Sequence, residues 1–374
     1  MDARQAEERI LNGRLWADFC DRLKAAGELL HEPNVPRDVM NQALGHRFLT
    51  RILRAGLERV VDYADPQYPA FYRLADDTKK ILNDNPDNYY ENCAIDGRFD
   101  YRISGTRGTV KWFSIGVKAG AGVDGMASLS EIDSSKLDIE PDGSFEILLT
   151  QKPPKSQKAN WLPLKPESTN IVVRQTFGIR KQEKRADLRI ECLNPERPNN
   201  NLDPAKLEAQ LMGALAFLEG TVKLGLMWTK EYQETSLNRL HPHDQAVLQA
   251  AGGDPTIHYY QSHWQLAPDE ALAVRIPFLP ECQTWNLQLS NFYMESLDHR
   301  FFNTCINKFQ ARYEKDGSVK ILIAHSDPGP AHPNWLNTLG HDQGGMLGRI
   351  VGASGTCPKE WETQVVKLKD VASR

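Results

Sequence analysis

Between residues 325 and 349 the chain reads HSDPGPAHPNWLNTLGHDQGGMLGR, which gathers His325, Asp327, His332, Asn334, Trp335, His341, Asp342 and Arg349 within one short stretch. Imidazole exchanges protons near neutral pH, and a carboxylate beside it fixes its tautomer. His325 therefore reads as a general acid or base, with Asp327 or Asp342 to orient it and His341 as a second proton carrier. Asn334 suits a developing oxyanion, and Trp335 suits an apolar wall. Arg349, with His258, Tyr259 and His263 of the upstream run IHYYQSHW, completes a set of candidate substrate contacts. The bland alternative is that Asp327-Pro328-Gly329 is a turn and that Asn334-Trp335 locks a loop, because Asn160-Trp161-Leu162 repeats the same triplet. His325, His332 and His341 span a Pro-rich loop with no short His-x-His pair on a strand, so the site is expected to work without a metal or another cofactor.

These groups need elements to hold them. Apolar residues at Leu11, Leu15, Phe19, Leu23, Ala26 and Leu30 predict one helix over 6–30, and Val39 to Val60 predict a second that opens near Pro36. A shorter helical segment is expected over 71–82 before NDNPDNYY, whose Asn, Asp and Pro make turns. Alternating runs follow, YRISG, VKWFSIGV, FEILLT, NIVVRQTF and ADLRIECL, each bounded by Gly, Asp or Pro, as in an antiparallel sandwich. Asp203-Pro204 opens a helix through Leu207, Leu211, Leu215, Leu218, Val222 and Leu226. A short helix over 240–251 is expected to stop at Gly252-Gly253, and the strand pattern then resumes.

The two strand regions align with each other. Arg102 stands ten residues before Trp112 and Arg275 ten before Trp285, and Asp142 and Asp316 each open an Asp-Gly-Ser placed 18 residues before Asn160 and Asn334. Anchors kept in order at such spacing predict an internal duplication. The matched loops differ: His325, Asp327 and His332 replace Gln151, Pro153 and Lys158, while His258 and His263 replace Asn88 and Cys93. The second copy therefore holds the proton-exchanging groups. On Val319, Ile321, Ile323 and His325, the inner face is expected to run into a polar rim.

WNLQLSNFYMES, YEKDGSVKILIAHSDPGPAHPNWL and GRIVGA, with NPDNYY, YRISGTRG, DGSFEILLTQ, NWLPL and VVRQTF, resemble the domain of unknown function 1214 over roughly residues 83–366. The resemblance implies jelly-roll sandwiches and a helical portion, and it carries no assigned chemistry. The expected fold class is α+β: an N-terminal helical region (1–84), a first antiparallel, jelly-roll-like β-sandwich repeat (85–193), a linker and central helical connector (194–255), and a second repeat (256–374).

A net charge of -4 offers no basic field for nucleic acid, no run of eighteen apolar residues asks for a membrane, and the acidic start is unlike a leader peptide. Six widely spaced cysteines fit reduced thiols in a cytoplasm. The expected function is acid-base catalysis, as a lyase, isomerase or hydrolase, on a small, largely apolar oxygenated molecule such as a terpenoid, steroid or polyketide. The competing expectation is a carbohydrate- or ligand-binding sandwich, or a glycoside hydrolase.

Overall fold

In the computed structural model, residues 3–122, 125–156, 160–196, 202–250, 253–254 and 256–371 are described; Lys158 and Gly252 lie outside them. The N-terminal region is not one helix followed by another. Gly13, at φ 78°, breaks the first into α1 (Ala3–Leu11) and α2 (Arg14–Gly27), because a left-handed residue cannot continue a helix. The next, α3 (Val39–Leu57), is capped by Asp38, whose side chain accepts from Asn41 N, and it ends in a π-helical turn over Glu58–Asp62. No helix forms over 71–82. Tyr72 instead pairs with Asn92 as a β-bridge, and the Asp76 carboxylate takes the amides of Thr78 and Lys79, so local side-chain bonds compete with helical ones.

Two repeats follow, each with eight strands in the same order. The first has β1 (Asn88–Ala94), β2 (Tyr101–Thr106), β3 (Trp112–Gly122), β4 (Gly125–Asp133), β5 (Ser144–Thr150), β6 (Asn160–Pro163), β7 (Ser168–Thr176) and β8 (Asp187–Cys192). These form one sheet ordered β1-β7-β3-β4 and another ordered β6-β5-β2-β8. Between the repeats lie α4 (Pro204–Thr235), the two-residue β9 (His241–Pro242) and α5 (Gln245–Ala250). The second repeat has β10 (Ile257–Gln265), β11 (Glu270–Ile276), β12 (Thr284–Leu289), β13 (Cys305–Asn307), β14 (Val319–Ala324), β15 (Trp335–Asn337), β16 (Gln343–Val351) and β17 (Glu362–Lys367), before the short α6 (Leu368–Val371). Its sheets run β13-β12-β16-β10-β9 and β15-β14-β11-β17, the same pattern with β9 added at one edge. The fold is α+β, with a duplicated sandwich, N-terminal helices and a central helix. Among the described residues, the named strands of each repeat depart from a wholly antiparallel sandwich where β6 runs parallel to β5 and β15 parallel to β14.

The chain divides into two compact units, one built from Met1–Lys79 and Asn88–Lys223, the other from Lys80–Asp87, Leu224–Gln249 and Gly253–Arg374. In each, alternation drives a strip of side chains inward. Phe145, Ile147 and Leu149 of β5 are buried in the first core, and Val319, Ile321 and Ile323 of β14 in the second. Burial of each such side chain contributes about 2 kcal/mol. The Trp anchor is one residue out of register: Phe113 faces the first core as Trp285 faces the second, whereas Trp112 is only half-buried.

Candidate functional site

The inner strip of β14 does run into His325 at the rim, but no carboxylate orients the imidazole. Its Nδ1 meets Thr338 Oγ1 at 2.8 Å and its Nε2 meets the Ala267 carbonyl at 3.2 Å. Asp327 is exposed and its Oδ1 accepts from Gly329 N at 2.8 Å, which closes the turn. Asp342 is exposed too, and its main-chain carbonyl accepts from Leu266 N at 2.9 Å. His341 is half-buried and donates its backbone N–H to the Thr338 carbonyl, while His332 reaches the Val371 carbonyl at 3.3 Å. The expected pairing of His325 with Asp327 or Asp342 is therefore corrected: both ring nitrogens face neutral partners. In the first repeat Gln151 occupies this rim position and donates to the Gly97 carbonyl at 2.7 Å. Gly97 and Ala267 both lie in the loop that leads into the matched strand, β2 or β11, so Gln and His do the same tethering there.

Asn334 and Trp335 have the same geometry in both repeats. Asn334 accepts from Arg312 N and donates to the carbonyls of Arg312 and Lys320, at 2.7 to 2.8 Å. Asn160 does this with Asp138 N and the carbonyls of Asp138 and Glu146, at 2.7 to 2.9 Å. Trp335 donates to the Ala324 carbonyl and Trp161 to that of Thr150, both at 3.2 Å. Every polar atom of the Asn side chain is thus satisfied by backbone, which leaves no donor for an oxyanion.

Of the other expected contacts, Tyr259, His263 and Arg349 lie on the outward face of the β12-β16-β10 sheet, whereas His258 has the strand parity of the core residues Tyr260 and Trp264. His258 is exposed, whereas Tyr259 is buried and accepts from Asp254 N at 3.2 Å. His263, buried against Phe292, shares Gln343 Oε1 with Gln233. Desolvation drives its pKa down to about 4 against the opposing bond to Gln343 and the charge of Asp342, so it is a neutral structural imidazole at pH 7. Cys93, its match in sequence, faces the first core, so that alignment is also out of register. Arg349 is buried, donating to Gln288 Oε1 at 2.5 Å and the Asn83 carbonyl at 2.6 Å. Around it Asn83, Asn85, Asp87, Asn286, Ser290 and Asn307 form a buried hydrogen-bonded layer, with Asn286 giving to Asn85 and Asp87 and Asn307 giving to Asp87. Arg349 thus organises the Asn/Asp-rich run 83–87 within the second unit. Among the described residues no three His, Cys, Asp or Glu side chains gather as metal ligands.

The first repeat holds the group that sequence reasoning passed over. On β1, Tyr89, Glu91 and Cys93 share the inward face, which places a carboxylate, 7% exposed, at one end of the sandwich interior. Gln175 donates to Glu91 Oε2 at 2.9 Å, and Arg185 lies 3.4 Å from Oε1. Burial pushes the Glu91 carboxyl above the usual carboxylate range, opposed by Gln175 and by the charges of Arg185 and Arg73. The Arg73 and Arg185 guanidiniums lie over the Tyr89 ring, at 4.1 and 4.8 Å from its centroid. Arg73 also lines a cleft of about 570 Å³ with Arg54, Glu58, Asp62, Tyr63, Tyr72, Asp76 and Lys79. The signal was legible in NYYENCA: alternation puts Glu91 between two inward residues, where an acid seldom sits without a partner.

Counted from the arginines Arg174 and Arg349 of the matched strands β7 and β16, which face Tyr90 and Tyr259, Glu91 corresponds to Tyr260. Tyr260 donates to the Pro358 carbonyl at 2.6 Å and packs on Trp361 at 5.0 Å. One interior end thus carries a carboxyl where its counterpart is aromatic.

The family of proteins of unknown function DUF1214 matches residues 85–176 and 265–354, one segment in each repeat. An uncharacterised protein of Burkholderia cenocepacia, known from its crystal structure, is similar over 97% of this chain and 99% of its own, at 42% identity and a TM-score of 0.91. The VPA0106 protein of Vibrio parahaemolyticus shares the fold at 12% identity and a TM-score of 0.52, over 86% of this chain and 98% of its own. No curated protein matches. The duplicated match and the relative that spans nearly the whole chain place this protein in the DUF1214 family.

Proposed function

We propose that the protein is an enzyme that performs acid-base chemistry on a small oxygenated molecule, as a lyase, isomerase or hydrolase, with the proton-transfer group in the first repeat. The observation that carries this reading is Glu91, a carboxylate buried in a sandwich interior with a raised pKa, beside two arginines, one of which lines a cleft. A general acid or base works best when its pKa approaches the working pH, and desolvation moves Glu91 in that direction. Arg185 and Gln175 hold the carboxyl in place, and Arg73 supplies positive charge where an oxyanion would form. His325 takes a tethering role, because neutral partners fix both its nitrogens.

The test reads proton abstraction without a known substrate. The full chain is incubated in D2O with terpenoid, steroid and polyketide-type ketones, and deuterium incorporation beside the carbonyl is followed by NMR. Wild type is expected to exchange at least one of them, Glu91→Gln to slow that exchange by about 100-fold or more, and His325→Gln to leave it nearly intact. Loss in His325→Gln with retention in Glu91→Gln would return the chemistry to the second repeat and overturn the assignment.

A further inference from the structure

Resting on that reading of Glu91, we infer that the cleft beside it takes a small monocarboxylate with an apolar body, and that Arg73 is its carboxylate receptor. The other two cations lining the cleft are already engaged. Arg54 Nε lies 2.9 Å from Glu58 Oε1, and Lys79, 1% exposed, is salt-bridged to Glu58 and stands 3.9 Å from Asp76. Arg73 differs from both: its side chain makes no hydrogen bond or ion pair among the described residues, and its Nε is buried without a partner. The contact with Tyr89 at 4.1 Å fixes the guanidinium plane, and because Nε is buried, the two terminal nitrogens are the donors left to meet a ligand. A planar fork held in that way matches a carboxylate through two parallel N–H···O bonds.

The charges of the cleft select among anions. Three basic side chains, Arg54, Arg73 and Lys79, are set against three acidic ones, Glu58, Asp62 and Asp76. A phosphate dianion would meet those carboxylates at short range, whereas a carboxylate adds one charge opposite Arg73, the cleft cation that makes no carboxylate hydrogen bond among the described residues. The remaining wall is aromatic: Tyr63 and Tyr72 stack with centroids 4.9 Å apart and offer ring faces to an apolar body. The adjoining π-helical turn, which supplies Glu58 and Asp62, is a distortion that often accompanies functional sites.

Benzoate and cyclohexanecarboxylate are the probes, with benzamide and inorganic phosphate as controls, titrated against the full chain carrying 13C-labelled tyrosine. Both carboxylates are expected to shift the Tyr63, Tyr72 and Tyr89 signals saturably, and benzamide and phosphate not to. Arg73→Ala is expected to weaken benzoate by about 10-fold or more, and Arg73→Lys, which keeps charge but loses the fork, to weaken it by a smaller factor. Binding of phosphate in preference to the carboxylates, equal binding of benzamide, or unchanged benzoate affinity in a folded Arg73→Lys or Arg73→Ala protein would overturn the inference. Glu91→Gln separates the two readings. If Glu91→Gln binds benzoate through Arg73 yet exchanges ketone protons as wild type does, the carboxylate site stands and the catalytic assignment of Glu91 falls.

Discussion

The two repeats share eight strands in one order, and also the Asn-Trp pair with its bonds, so their differences lie against a common background. The expected asymmetry was histidine-rich chemistry in the second copy. The structure holds His325 at the rim and His263 in a buried position, while the first copy keeps a carboxylate inside its sandwich where the second has Tyr260 against Trp361. The two interiors of a duplicated scaffold therefore differ in what each tolerates. An acid removed from water survives only with partners, and in the first repeat these are Gln175 and Arg185.

The sharpest way to break this comparison is to exchange the interiors. Tyr260→Glu puts an acid against Trp361 and the Pro358 carbonyl, and denaturation in urea is expected to show a loss of about 4 kcal/mol at pH 8 that shrinks at pH 4 as the carboxyl protonates. A tolerated Tyr260→Glu at pH 8 would mean that the two interiors are equivalent. Next come the shared clamps. Asn334→Ala strands backbone groups deep in the second unit and should cost about 3 kcal/mol, with Asn160→Ala, half-buried, nearer about 2 kcal/mol.

His263 has a pKa depressed to about 4 from an ordinary 6.5, so the unfolded chain binds its proton more readily. The stabilisation is fully present above pH 6.5 and is lost as pH falls through about 4, amounting to about 3 kcal/mol. Stability curves of wild type and His263→Gln should converge toward acid pH by that amount. Glu91 has the opposite sign: with its pKa raised, folding is favoured below the unfolded carboxyl pKa and weakened as pH rises through the folded one. Glu91→Gln should therefore gain on wild type as pH rises from acid toward neutral. Smallest of all is His325→Gln, which installs the first repeat's own rim residue and should change stability by less than about 1 kcal/mol.

Much of this architecture was legible. Alternation gave the strands, spaced anchors gave the duplication, and the inner strip from Val319 to His325 was assigned to the correct face. Local context obscured the rest. Trp112 and Trp285 matched as letters yet face opposite sides of their strands, because a one-residue slip reverses every side chain. The run over 71–82 has helical spacing, but Asp76 and the Tyr72 bridge to Asn92 take the backbone bonds that a helix would use. Glu91 was visible as an acid on an inward face; its arginine partner on the loop before β8 was not, since proximity across 94 residues leaves no local trace. The type of His325 permits proton transfer, but its hydrogen bonds to Thr338 and Ala267 were not legible in the sequence.

The short parallel strands β6 and β15 have a consequence beyond their own sheets. Each lies at a sheet edge, spans Asn160–Pro163 or Trp335–Asn337, and is anchored by an asparagine, Asn160 within β6 and Asn334 just before β15, that bonds to two backbone carbonyls. An edge of three or four residues, one of them ending in a proline that lacks an N–H, gives a passing polypeptide too little ladder to extend. Both repeats thereby resist strand-to-strand aggregation at that border, and loosening the asparagine would endanger solubility as well as folding.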